Sequence, residues 1–145
     1  WKIFGDSESI FMETFSALGQ SDDGLLAKWR RIREIRDAVN KDIEALRAAG
    51  QVGASLQACV TLTVAPEDHA LLASLGDDLK FVFITSTIEL IAGSALQVSA
   101  KASSDAKCER CWHYSADVGH DAAHPTLCGR CTSNLFGSGE DRKVA

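Results

Sequence analysis

The sequence has no methionine at its first position, where Trp1 stands, and only one methionine anywhere, Met12. We therefore expect a piece of a longer polypeptide, with any chemistry held outside it. No stretch approaches the ~20 consecutive apolar residues that span a bilayer. No charged-then-apolar leader ends in a small-residue cleavage site. The expectation is a soluble, intracellular, cytoplasmic protein without a membrane partner. Catalytic sets are missing too. No Ser, Cys or His sits in a nucleophile motif, and there is neither a phosphate-cradling Gly-rich loop nor a Walker-type lysine. These absences leave no reaction to assign within the chain. An excess of base is also absent: the net charge is −5, so a polyanion would have to find local basic surface.

What is present begins with enough apolar residues, 46%, to build a packed core. Charge is unevenly spread. Lys28, Arg30, Arg31, Arg33 and Arg36 crowd one stretch against only Glu34, which reads either as a solvated helix face or as a basic patch. Ahead of it, Phe4, Ile10, Phe11, Met12, Phe15 and Leu18 are apolar without a clean period. Gly19 to Gly24 make a loop in which Asp22 or Asp23 can cap a helix.

The helix predicted over 25–49 is the strongest in the chain. Leu25, Trp29, Ile32, Val39, Ile43 and Leu46 recur on one stripe with Ile35 at its edge, and Gly50 ends it. A stripe this long needs burial, and partner helices outside this chain are the expected cover. From 53 to 100 the period changes. Ala58, Val60, Leu62 and Val64 alternate with Cys59, Thr61 and Thr63 as a strand. Pro66, Glu67 and Asp68 open a short helix closed by Gly76. Leu79 to Ile84 reads as a strand buried on both faces, and Leu96, Val98 and Ala100 as a third strand. The fold class is α+β: a long amphipathic helix, a small mixed α/β unit and a cysteine-rich C-terminal module.

Beyond the small polar linker 102–106, Cys, His and Gly replace the aliphatics, and residues 107–136 hold too little apolar material for a core of their own. Cys108-x2-Cys111 and Cys128-x2-Cys131 have the two-knuckle spacing of four-cysteine zinc sites. Two cysteines three apart on a tight turn aim both sulfurs at one point, and two such turns complete a tetrahedron. Soft thiolates favour Zn²⁺. With all four positions filled by protein, the metal is one structural zinc whose binding drives folding. Two disulfides fit poorly with an intracellular chain that also keeps the odd Cys59, and an iron–sulfur cluster more often needs other spacings. His113, His120 and His124 lie between the knuckles as competing ligands, and are expected at the surface or facing RNA instead. Trp112, His113 and Tyr114 follow the first knuckle, and Arg110 and Arg130 hold matching positions in the two knuckles. Such a surface can stack bases and contact phosphates. Alternatively, Trp112 covers the zinc sulfurs as a miniature core. Gly137, Gly139, Arg142 and Lys143 make a basic tail offset by Glu140 and Asp141.

The run Lys107-Cys108-Glu109-Arg110-Cys111-Trp112-His113-Tyr114, with Asp117-Val118-Gly119 and Leu127-Cys128-Gly129-Arg130-Cys131, resembles the zinc motif closing bacterial isoleucyl-tRNA synthetases. Trp29, Ile32, Arg36, Val39, Asn40 and Lys41 look like the helix of that family's anticodon-binding region, and the likeness runs from about Ser9 to Lys143. Ala54 and Gln57 depart from the expected Ser and Glu, at positions that touch no ligand. The resemblance implies an end of a helical anticodon-binding domain over 1–52, a small α+β junction domain over 53–101, and a zinc-binding, tRNA-contacting module over 102–145. It also implies ATP-dependent joining of isoleucine to its tRNA, with Mg²⁺, by domains absent from this chain. The present piece, as part of a monomer, would hold the anticodon end of the isoleucine tRNA through Arg110, Trp112, His113, Tyr114, Arg130, Arg142 and Lys143. Two rivals stand beside it: a DNA-glycosylase zinc finger binding duplex DNA, and a structural zinc ribbon serving protein–protein contact.

Overall fold

The computed structural model describes residues 8–14 and 19–140. Phe4, Phe15, Leu18, Arg142 and Lys143 lie outside the described residues. The long helix α1 covers Asp23–Ala48. Asp22 caps it, its carboxylate accepting from the Leu25 N–H at 2.9 Å, which satisfies one of the orphan donors of the first turn. Gly50, at φ +70°, lets Gln51 N–H return to the Leu46 carbonyl, as left-handed C-terminal turns do.

The buried stripe of α1 is Ile32, Ile35, Val39 and Ile43. Ile35, expected at the edge, is at the centre with no exposure, whereas Leu25 is 49% exposed. The cover for this stripe is not a set of outside helices but the chain's own sheet. Ile32 to Ile43 share one buried cluster with Ala58, Val60, Leu62, Val64, Leu72 and Phe83. Each of the Ile, Val, Leu and Phe side chains contributes roughly 1.5–3 kcal/mol on burial. Residues on both sides of the boundary expected at 52/53 thus pack in one core.

The sheet has three strands in the order β2-β1-β3. Strand β1 (Ala58–Val64) alternates buried and half-buried residues as predicted. It pairs in parallel with β2 (Thr87–Ala92) and antiparallel with β3 (Gln97–Ala102). The parallel pairing requires a crossover, supplied by α2 (Pro66–Ala73) and α3 (Leu79–Phe83). Here the sequence expectation fails. Residues 79–84 are not a strand: Leu79 and Phe83, four apart, bury one side of a short helix, and Ile84 ends it in the left-handed region at φ 56°. The strand lies just beyond, where Ile88 and Leu90 face the core and Thr87 and Glu89 face out.

Two of the five bases crowded on α1, Lys28 and Arg31, are engaged with α2 and the residue that caps it. Lys28 donates to the Ser74 hydroxyl, and Arg31 grips the Asp68 carboxylate with two bonds of 2.8 and 2.7 Å while also reaching Glu34. This pairing pulls the Asp68 carboxyl below its usual range. These two side chains tie α1 to α2. Among the described residues no helix is long and apolar enough to cross a membrane.

Candidate metal centre

A two-residue ladder, β4 (Ala106–Lys107) with β5 (Tyr114–Ser115), closes the first knuckle. Across its mouth Cys108 N–H donates to the His113 carbonyl, and Trp112 N–H returns to the Cys108 carbonyl, both at 2.9 Å. The second knuckle opens helix α4 (Gly129–Phe136): Cys128 is its N-terminal cap and Cys131 lies within its first turn. Asp117 holds that opening. Its carboxylate accepts from the Gly129 N–H at 2.9 Å and from the Ser115 hydroxyl at 2.5 Å. The Ser115 bond outweighs burial and keeps the Asp117 carboxyl below its ordinary value.

The four sulfurs of Cys108, Cys111, Cys128 and Cys131 lie within 4.8 Å of one another. A tetrahedron with Zn–S bonds of about 2.3 Å has edges of about 3.8 Å, and the Cys111–Cys128 sulfurs stand 3.7 Å apart. No disulfide joins them. Cys108, Cys128 and Cys131 are buried, and among the described residues the hydrophobics packed around them are the partly buried Cys111, Val118 and Leu127, so the sulfurs themselves fill the place of a core. Their acidities are unequal. Burial pushes the Cys108 thiol up, but N–H groups of Cys111, Cys128 and Arg110 aimed at its sulfur bring it down to about 6. Burial, with the neighbouring sulfurs, pushes Cys128 up to about 12. Thiolates this close repel one another, so several together need a cation to neutralise them. The donor set therefore fits one structural zinc, with no protein-free position for chemistry.

The histidines stand outside this set. His113, expected at the surface, is half-buried: its Nδ1 lies 3.2 Å from the Cys111 carbonyl oxygen, and burial lowers its pKa. His124 stacks on Phe136 at 3.9 Å. Cys59 is a half-buried free thiol on the outer face of β1.

Trp112 does not cover the sulfurs. It is 60% exposed and sits at φ +65°, a conformation rare for a bulky residue. Its indole N–H donates to the Glu109 carbonyl at 3.1 Å, and Lys107 lies 5.3 Å over its ring. Arg110 is exposed with one guanidinium nitrogen 3.6 Å from the Cys131 sulfur. Arg130 is half-buried. It forms a two-bond ion pair with Glu140 at 2.5 and 2.8 Å, which raises its pKa, and lies 4.7 Å over the Phe81 ring. Tyr114 is half-buried in β5. Sequence reasoning gave Phe81 and Ser86 no part in the site, and named Asp117 only within the zinc motif and Glu140 only as an acid offsetting the basic tail. Asp117, two residues after a serine and close to the first knuckle, offered a local signal for its capping role.

Residues 106–134 match the family described as a zinc finger found in FPG and IleRS. The whole chain aligns with isoleucine–tRNA ligases of bacteria. It is 50% identical to that of Ralstonia pickettii (strain 12J) over 154 residues, covering 100% of this chain and 16% of the relative. It is 52% identical to that of Bordetella parapertussis (strain 12822) over 158 residues, covering 100% and 17%. With that of Thiobacillus denitrificans (strain ATCC 25259 / T1) the identity is 47% over 148 residues, covering 100% and 16%. The chain spans about a sixth of the length of these curated relatives. It is thus related, from end to end, to a segment of the bacterial isoleucine–tRNA ligases, the segment that carries their zinc finger.

Proposed function

We propose that this chain is the tRNA-holding end of an isoleucine–tRNA ligase. Parts outside the chain would carry the ATP- and Mg²⁺-dependent joining of isoleucine to its tRNA, and this part would position the tRNA by its anticodon end. Orientation of this kind converts binding into a productive geometry at a distant active site. The observation that carries the reading is the outward Trp112. A large aromatic held at a left-handed backbone on a metal knuckle, and left exposed, is costly unless something stacks on it. Arg110, exposed and two residues earlier in the chain, supplies a phosphate-seeking charge. His113, Tyr114 and Arg130 are held against Phe81 and Ser86, and Arg142 and Lys143, outside the described residues, are assigned to tRNA on their charge alone. We take the full protein to act as a cytoplasmic monomer.

The family description names FPG beside IleRS, so a duplex-DNA finger is the second reading. The end-to-end relatives favour the first. Zinc content, measured with binding of the isoleucine tRNA, an unrelated tRNA and duplex DNA at two salt concentrations, separates them. One zinc per chain and a preference for the isoleucine tRNA is the expected result. Equal or stronger binding to duplex DNA would overturn the reading. In the full enzyme, Arg110→Ala should raise the tRNA KM and flatten its dependence on salt; unchanged kinetics would favour a protein–protein role.

A further inference from the structure

The zinc module meets the α+β unit through a small, specific seam. The Ser86 hydroxyl, on a residue 4% exposed, donates to the Leu56 carbonyl and accepts the Tyr114 N–H at 2.6 Å. Ser86 N–H in turn donates to the Ala58 carbonyl at 3.0 Å, at the start of β1. One side chain thereby joins the edge of the core to β5 of the module. Beside it, Phe81 of α3 meets the His113 ring at 5.3 Å and 81°, edge to face. Arg130, from α4, lies over the same Phe81.

These contacts fall on the two residues that follow Trp112. Reading along the chain, Cys111 is a metal ligand, Trp112 projects outward, His113 rests on Phe81 and Tyr114 is bonded to Ser86. The exposed indole is therefore flanked on its N-terminal side by the cysteine cluster, which a bound metal would fix, and on its C-terminal side by the α+β unit. A left-handed backbone persists when its surroundings over-determine it, and here both neighbours do so.

We infer that Phe81 and Ser86 are positioning residues for tRNA: they aim Trp112 by clamping His113 and Tyr114, without touching RNA themselves. This rests on the proposal that Trp112 faces tRNA. It makes the junction unit part of recognition through orientation, and explains why an apolar ring on α3 stays half-buried at the seam instead of joining the core.

The test is carried out in the full-length enzyme with Phe81→Leu, Phe81→Tyr and Trp112→Ala, alone and combined, reading zinc content, tRNA KM and kcat. Phe81→Leu removes the ring that His113 and Arg130 share. It should keep one zinc, raise the tRNA KM several-fold and leave kcat unchanged. Phe81→Tyr should restore the KM. On a Trp112→Ala background Phe81→Leu should add nothing, because a positioning residue has no effect once its target is gone. A normal KM in Phe81→Leu, or additive effects in the double variant, would overturn the inference while leaving the Trp112 reading intact. Loss of zinc in Phe81→Leu would also overturn it, since the contact would then serve the module's folding and not its aim. A normal KM in Trp112→Ala would instead remove the tRNA reading of this face, and the inference with it.

Discussion

Replacing Trp112 by glycine separates the stability of the zinc module from its proposed contact with RNA. The backbone at φ +65° costs an ordinary side chain about 1–2 kcal/mol. Glycine removes that strain but gives back about 0.5–1 kcal/mol through the freedom it gains when unfolded. The substitution also removes the Lys107 contact at 5.3 Å, which at an exposed ring is worth about 0.5–1 kcal/mol. The indole bond to the Glu109 carbonyl adds about 0.5–1.5 kcal/mol to the loss. These contributions nearly cancel, leaving a net loss of about 1 kcal/mol. Binding of tRNA should fall much further, because one base stack is worth about 1–3 kcal/mol, or about 5- to 150-fold. Chelator competition and thermal unfolding read the first quantity, and tRNA KM in the full enzyme reads the second. Trp112→Ala keeps the strained backbone and should be less stable than the glycine variant by about 1 kcal/mol. Loss of zinc, or a destabilisation beyond about 3 kcal/mol in Trp112→Gly, would refute the reasoning by showing that the ring supports the module's core.

Cys128→Ser should lose the metal and unfold 107–136 while amide protection in β1 to β3 persists; hydrogen exchange with zinc analysis checks this, and stoichiometric zinc in a folded variant would contradict the four-cysteine site. Gly119→Ala should weaken zinc retention, since Gly119 lies at φ +83° and a Cβ there would stand 2.9 Å from the Pro125 carbonyl oxygen; an unchanged chelator midpoint would count against it. Leu62→Ala, at a fully buried position of the central strand, should cost about 2–5 kcal/mol in denaturant unfolding. Asp68→Asn should cost no more than about 1 kcal/mol at pH 7. Arg31 lowers the folded carboxyl's pKa, so the native advantage is present above the ordinary carboxylate range and lost as pH falls through the lowered value. The difference between Asp68→Asn and the parent should therefore vanish in strong acid; a gap that persisted there would point to packing.

The metal centre was legible because its information is local: two pairs of cysteines at fixed spacing need no knowledge of the fold. So were α1 and β1, whose periods of 3.6 and 2 are each carried by one face. The segment 79–84 was misread for a physical reason. An unbroken run of apolar residues fits a strand buried on both faces and a buried helical turn equally well, and its true end is an isoleucine in a left-handed conformation, which no sequence rule favours. The cover of α1 was misplaced because a stripe states that burial is needed, not by what. The seam of Phe81, Ser86 and His113 left no trace in the sequence, since it joins residues that neither share a period nor a motif.

Strand β1 sits in the middle of the sheet, yet neither neighbour is joined to it by a tight turn. Cys59 must wait for Thr87 on one side, and Ala58 for Ala102 on the other. Closing such loops is an entropic search that precedes any reward from pairing, whereas the zinc knuckles need only a short excursion and a metal ion. The chain therefore carries two folding clocks. One is set by topology and insensitive to metal supply, and the other is set by the free zinc concentration. Starving the protein of zinc should leave the first running at its usual rate while the second stops.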